Sequence, residues 1–288
     1  MDTLDRTARL RPGVEWRADA GPRPIERQTP RETAIGLSFN GRAHTVLMAT
    51  PDDIEDLAFG FSITEGVAQA GDIDHVVVEI KPEGVLADIQ LAPSAMIRKV
   101  RPRTLEGRSS CGLCGVQRLA DAVRPLPPVL SRQRFAPEAV HRAAAALGER
   151  QPLGRLTRAT HAAGFATAAG ELLLIREDVG RHNALDKLAG GLLRAGLDPA
   201  AGFVVVTSRC SFEMVEKTAR IGCPMIVAVS APSDLAIQKA EAAEVTLVAL
   251  ARADGFTVFS GAERLFEAAA APELKILAPQ FRPFAHVQ

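Results

Sequence analysis

A chain of 288 residues, 47% of them apolar, can bury a substantial core in one large domain or two modest ones. Its 34 Lys and Arg balance 34 Asp and Glu, which argues against nucleic acid or an anionic membrane as partners and leaves any anion site to a local cluster. Apolar runs such as 202–206 are far too short to span a bilayer, and four cysteines, two of them spaced Cys-x-x-Cys, suit a reducing compartment, so a cytoplasmic location is expected.

The first 32 residues mix Pro, Arg and acidic side chains without the apolar core of a secretory signal and read as a mobile arm. Runs 33–39 and 43–48 are rich in β-formers and are joined by Asn40-Gly41, the dipeptide suited to the positive φ angles of a tight hairpin. A helix is predicted over 51–66: Thr50 and Asp53 suggest a capping box, Pro51 takes the first helical position, and Ile54, Leu57, Ala58 and Phe61 share a face. Runs 75–80 and 85–91 flank the turn 81–84 as a second hairpin, so that 33–93 forms a small α+β subdomain.

Residues 94–135 form a basic connector in which Arg98, Lys99, Arg101, Arg103 and Arg108 face only Glu106. It carries SSCGLCG, with Cys111 and Cys114, and from there Leu113, Val116, Leu119, Ala120 and Val123 recur at helical spacing, so Ser109 or Ser110 can cap a helix that starts at the cysteines. An Ala-rich helix over 137–147 opens the segment 136–288. Strands are predicted at 162–167, 171–176, 203–207, 225–229, 245–250 and 256–259, and helices at 181–193, 212–221 and 234–243. This alternation implies right-handed crossovers and a largely parallel sheet flanked by helices.

A thiolate is the nucleophilic form of cysteine, and cations or a helix N-terminus nearby raise its population; Cys111 is expected to have both. Gly112 and Gly115 leave the backbone unhindered, so a bulky sulfur donor can approach and a loaded sulfur can swing away. The spacing equally allows a structural zinc half-site completed by Cys210 and Cys223, or a buried pair with no chemistry. Cys210 and Cys223 flank a whole predicted helix, unlike a zinc knuckle, and the polar, basic residues before Cys111 are unlike the apolar strand that precedes a thioredoxin motif.

The second constellation is EDVGRHNALDK, where Asp178 can cap a helix whose first turn presents Arg181, His182, Asn183, Asp186 and Lys187 at a strand end, the place where α/β sheets hold ligands. Two further strand-to-helix junctions follow, 207–217 with Arg209 and 230–236 with Ser230. Unpaired N–H groups at such helix starts bind phosphate, so a GDP-like nucleotide or another phosphate-bearing ligand fits, against ordinary capping by Ser211 and Ser233.

Taken in order, SSCGLCG, EDVGRHNALDK, TSRCSFEMVEKTARIGCPMIVAVSAPSDLAI and GFTVFSGAERL resemble the FdhD family of formate dehydrogenase accessory sulfurtransferases, over about residues 33–265. The resemblance implies a sulfur carrier that takes persulfide sulfur from a cysteine desulfurase and delivers it to the molybdenum or tungsten bis-molybdopterin guanine dinucleotide cofactor for the formate dehydrogenase catalytic subunit. It implies Cys111 as the persulfide-bearing residue assisted by Cys114, cofactor contacts at Phe256, Thr257, Val258, Phe259, Ser260 and Gly261, and a homodimer. Phe259 stands where the family often carries Tyr, a residue this chain lacks altogether. The implied fold is cytidine-deaminase-like, a three-layer α/β/α core with a smaller N-terminal α+β subdomain. Deaminase chemistry itself does not follow, because no histidine of this chain opens His-x-Glu and Ser110, not Pro, precedes Cys111. The remaining alternative is a non-catalytic cofactor-binding chaperone whose cysteines close a zinc or disulfide site.

Overall fold

The computed structural model describes residues 6–93, 95 and 126–265. Cys111, Cys114, most of the basic connector and the helix expected after the cysteines therefore lie outside the described residues. No helix among those described is long and apolar enough to cross a membrane.

The segment read as a mobile arm contains a two-stranded antiparallel ribbon, β1 (Ala8–Trp16) and β2 (Pro22–Pro30), paired from Ala8 opposite Pro30 to Trp16 opposite Pro22. Its prolines stand outside the usual strand pattern, and nearly every side chain is exposed, so no burial signal marked it.

The first lobe follows the hairpin expectation closely. β3 (Thr33–Phe39) and β4 (Arg42–Ala49) turn at Asn40 and Gly41, with φ of 49° and 75°, and β5 (Ile73–Lys81) and β6 (Gly84–Leu91) form the second hairpin. They make one sheet in the order β4-β3-β6-β5, with β3 and β6 parallel. Ile35, Leu37, Phe39 and Ile89 bury one face of it against Leu57, Ala58 and Phe61 of α1 (Ile54–Thr64). The expected capping box is absent. Asp53 adopts a left-handed conformation with φ 50° and makes no side-chain cap bond, so the helix starts at Ile54. Thr50 turns to the second lobe, where its N–H donates to Asp178, its hydroxyl accepts from Val179 N–H and its carbonyl accepts from Lys187.

The second lobe contains α2 (Pro137–Glu149), a short α3 (Pro152–Thr157) that was not anticipated, β7 (His161–Thr167), β8 (Leu172–Asp178), α4 (Arg181–Arg194), β9 (Gly202–Val206), α5 (Phe212–Arg220), β10 (Met225–Ala228), α6 (Asp234–Ala242), β11 (Thr246–Arg252) and β12 (Gly255–Ser260). The six strands lie in the order β12-β11-β10-β9-β7-β8. Val204, Val206, Ile226, Ala228 and Leu247 pack with α4, α5 and α6 on one face, while Phe203, Val205, Met225, Val227 and Val248 pack with α2 on the other, which makes three layers. Leu126, Val129 and Phe135, from the end of the expected connector, belong to these cores.

The sheet is mixed, not largely parallel. Only β9–β10 and β10–β11 are parallel, whereas β7–β8, β7–β9 and β11–β12 are antiparallel. The turns between β7 and β8 and between β11 and β12 are too short for a crossover, so these pairs can only be hairpins.

The lobes meet where α1 crosses α4. A Cβ on Gly60 would lie 1.7 Å from the Asp186 carbonyl oxygen, and one on Gly190 would lie 1.9 Å from that of Asp56, so backbone touches backbone at this crossing. Around it, Asp56 pairs with Arg176 and Arg194, each at 2.6 Å, and Asp178 pairs with Lys187 at 2.7 Å with neither side chain exposed. Lys217 reaches Asp186 at 2.8 Å, Glu65 at 2.7 Å and Thr64 at 3.1 Å. Burial alone would lower the Lys217 pKa, but the flanking Asp186 and Glu65 carboxylates raise it above its ordinary value.

Candidate functional site

Because β7 runs antiparallel to both β8 and β9, strands β8, β9, β10 and β11 all point the same way. Their C-terminal ends share one sheet edge, and α4, α5 and α6 begin there. The loops after β9 and β10 are joined: Cys210 N–H donates to Ala231 O, and Ser233 N–H donates to Cys210 O. Arg209 is exposed on this edge, and Ser230 is half-buried with its carbonyl accepting from Leu250 N–H.

The α4 junction divides between structural and free groups. Asp178 is fully buried and accepts from Thr50 N–H at 2.9 Å, Gly180 N–H at 2.8 Å and Asn183 Nδ2 at 3.0 Å besides its ion pair with Lys187. Asn183 also donates to Met48 O at 2.8 Å. Both residues are thus engaged in joining the lobes, as are Asp186 and Lys187. Arg181 Nε and His182 Nε2, in contrast, are buried without a hydrogen-bond partner. The His182 ring lies 3.9 Å from Glu213 Oε2 on α5. Burial would raise the Glu213 carboxyl, yet His182 and Ser211 beside it hold it below the usual carboxylate range.

The two serine caps behave differently. Ser233 caps α6 by accepting from Ala236 N–H at 3.3 Å, so ordinary capping explains that residue. Ser211 stands at the N-cap of α5 but makes no cap bond, and its Oγ is buried and unpartnered. Unpaired donors at the starts of α4 and α5, beside Arg181 and His182, give this stretch of the edge the chemistry to receive an oxyanion.

His161 belongs to this edge and was missed. It opens β7 directly opposite Asp178, and burial, followed by the nearby Arg181, lowers its pKa so that the ring is neutral at neutral pH. In a parallel sheet the start of β7 would sit at the opposite edge; the antiparallel pairing brings it here. Glu213 escaped notice because a carboxylate in a helical first turn reads as a favourable dipole contact.

The stretch Phe256–Gly261 lies on the outer strand β12, which starts at this edge, where Gly255 pairs with Arg252, and runs away from it. β12 and β8 are the two outer strands, five strand spacings or about 24 Å apart. β12 runs antiparallel to β11, so its Ser260 end pairs with Leu247 at the opposite sheet edge from Arg209. There Ser260 Oγ donates to Val245 O at 2.8 Å and accepts from Leu247 N–H at 3.1 Å. Gly261, with φ 67°, packs against Thr246, where a Cβ would lie 2.5 Å from Thr246 Oγ1. Phe256 packs on His141 with ring centres 5.1 Å apart, Val258 is half-buried on the α2 side and Phe259 on the α4 to α6 side. Thr257 is exposed.

The remaining cysteines do not complete a zinc site with each other. Cys210 follows the C-terminal end of β9, whereas Cys223 precedes β10 at the other edge, with Sγ 3.7 Å from Gly202 O. Burial, with Glu213 adding to it at Cys210, pushes both thiols up to about 12. Neither is therefore expected to react with iodoacetamide at neutral pH in the folded protein, and peptide mapping that finds Cys210 or Cys223 alkylated would contradict this packing.

Comparison with known proteins agrees with the motif order. The FdhD/NarQ family model matches residues 30–266. The sulfur carrier protein FdhD of Bordetella bronchiseptica is 45% identical over 236 residues, covering 81% of this chain and 86% of that protein. The protein of the same name from Agrobacterium fabrum is 43% identical over 247 residues, covering 85% and 91%. The crystal structure of a formate dehydrogenase accessory protein from Desulfotalea psychrophila shares the fold, with a TM-score of 0.71 at 24% identity, over 90% of this chain and 100% of that one. With the family model spanning both lobes and relatives of this identity covering most of the chain, the protein belongs to the FdhD/NarQ family.

Proposed function

We propose that this protein is a sulfurtransferase in which Cys111 accepts sulfur from the persulfide of a cysteine desulfurase and passes it to the bis-molybdopterin guanine dinucleotide cofactor of a formate dehydrogenase. The observation that carries the reading is the division of the thiols: Cys210 and Cys223 are buried with pKa values pushed up to about 12, which leaves the Cys111–Cys114 pair to do the chemistry. The Cys111 thiolate attacks the terminal sulfur of the donor persulfide; the donor S–S bond breaks, the donor leaves as its thiolate, and Cys111 holds the transferred sulfur as a persulfide. Cys114 assists the onward transfer. The basic run from Arg98 to Arg108 stabilises the anion and attracts the phosphate-bearing acceptor.

In this reading Arg181, His182, Arg209 and Ser230 receive phosphates of the cofactor, a GDP-like group, while Asp178 and Asn183 hold the edge in shape. Phe256, Thr257, Val258, Phe259, Ser260 and Gly261 then serve another part of the cofactor, since β12 lies beyond β11 from the strands that end at Arg209 and Ser230. The protein works in the cytoplasm as a homodimer and docks on the formate dehydrogenase catalytic subunit.

Intact-protein mass spectrometry after incubation with a desulfurase and cysteine tests the relay: one added sulfur is expected, and tightly bound zinc at the pair in its place would instead support a non-catalytic chaperone. Separately, Arg209→Ala is expected to weaken GDP binding about ten-fold or more in calorimetry, the worth of one charge-assisted contact. Unchanged affinity would remove Arg209 from the site.

A further inference from the structure

The geometry points to an arm exchange: the β1–β2 ribbon of one chain lies on the open face of the β4-β3-β6-β5 sheet of a second copy. It specifies the contact of the homodimer proposed above and does not depend on the sulfur relay.

The ribbon has two chemically distinct faces. Side chains alternate along a strand and directly paired residues share a face, so Leu10, Pro12, Val14 and Trp16 lie with Pro22, Pro24, Glu26 and Gln28 on one side, which is apolar toward the tip of the ribbon. The other side carries Arg9, Arg11, Glu15, Arg23 and Arg27, and there Glu15 pairs with Arg17, Arg23 and Arg27. Glu15 thus gathers three arginines within the ribbon. The apolar face is bare: Leu10 is 49%, Val14 62% and Trp16 74% exposed. A two-stranded ribbon is marginal in water without an apolar face to cover, and Trp16 gains nothing by standing in solvent.

The same chain offers a matching uncovered surface. α1 covers only one face of the first-lobe sheet. On the other, Val46 pairs with Gly36, which in turn pairs with Leu86, and Met48 pairs with Ala34. Val46 is 50% and Met48 51% exposed, and the small Gly36 and Ala34 between them keep the surface low enough for another sheet layer. The ribbon runs into β3 after only Arg31 and Glu32, its backbone ladder extends to Arg31 N–H on Thr7 O, and β2 contacts α3. It is thus anchored beside the second lobe at its base, where Ala8 is buried, while Val14 and Trp16 on the ribbon and Val46 and Met48 on the sheet all stay exposed within the one chain.

Size supports a second copy as the occupant. A nine-residue ribbon is about 30 Å long and about 10 Å wide, so two exchanged arms and two receiving faces bury on the order of 1,200 Å², the lower bound of a stable interface. The exchange is reciprocal, with the same two patches used on each copy, and therefore closes as a two-fold dimer.

Trp16 is the only tryptophan and the chain has no tyrosine, so fluorescence reports on the ribbon alone. Sedimentation of the full chain should show a dimer whose Trp16 emission is blue-shifted and shielded from acrylamide, both lost on dilution to monomer. Leu10→Glu with Val14→Lys, and separately Val46→Glu with Met48→Glu, should each weaken dimerisation at least about 100-fold and expose Trp16 while circular dichroism stays unchanged. A dimer whose Trp16 is solvent-exposed in the unaltered protein overturns the arm exchange and leaves the homodimer to another surface. A dimer broken by the ribbon pair but not by the sheet pair overturns the assignment of the receiving face, and a monomer at all concentrations overturns both the exchange and the homodimer.

Discussion

Cys111→Ala is expected to abolish sulfur loading by a cysteine desulfurase and, in cells, formate dehydrogenase activity, while Cys210→Ala and Cys223→Ala retain both. The reasoning is one of thiolate supply. A thiol pushed up to about 12 is ionised at neutral pH in only about one molecule in 10⁵, and burial also keeps a donor persulfide away from it. Cys111 is flanked instead by Ser110 and Gly112 and follows a run of five Lys and Arg between positions 98 and 108. Intact mass after desulfurase treatment and formate-dependent dye reduction in lysates read the two effects. Full sulfur loading on Cys111→Ala would end the assignment of Cys111 as the acceptor, since among the described residues Cys210 and Cys223 are both buried. Cys114→Ala is expected to load sulfur but to deliver it more slowly, which separates acceptance from transfer.

Lys187→Met is expected to lower stability by about 3–5 kcal/mol, a large share of the 5–15 kcal/mol typical of folded domains. The Asp178 carboxylate, with no solvent exposure, would lose its counter-charge, and Thr50 O would lose its donor. The midpoint of thermal unfolding should fall by about 10 °C, and Lys187→Met combined with Asp178→Asn should recover part of that loss, because no charge then stays buried. A single variant within about 0.5 kcal/mol of the parent in urea titration would mean that water reaches the pair. The loss would be shared by both lobes, since Asp178 holds Thr50 of the first lobe and Lys187 belongs to α4 of the second.

This pair also shows where reading the chain alone stops. Local patterns determined most elements: Asn40-Gly41 specified a tight turn because few other residues tolerate two successive positive φ angles, and the 3.6-residue spacing of Ala184, Leu185, Leu188 and Leu192 specified α4. The order of four motifs determined the family. Tertiary structure alone decided which polar residues of EDVGRHNALDK are free. Asp178, Asn183, Asp186 and Lys187 look like ligand groups in one dimension, and three of them are tied to Thr50, Met48 and Thr64, more than 120 residues away in the chain. Lys187 joins them through the Thr50 carbonyl. Arg181, His182 and Ser211 are left with unpartnered atoms. Strand direction likewise had to be seen, because an apolar run of five residues is equally at home in a parallel or an antiparallel pair. Only the pairing of β7 with both β8 and β9 brings His161 to the edge where α4, α5 and α6 begin, and only the strand order and direction place Phe256–Gly261 on an outer strand whose Ser260 end lies at the opposite edge. The physical reason is the same in each case: periodicity reports which side chains are buried, whereas hydrogen-bond partners and strand neighbours depend on residues remote in the chain.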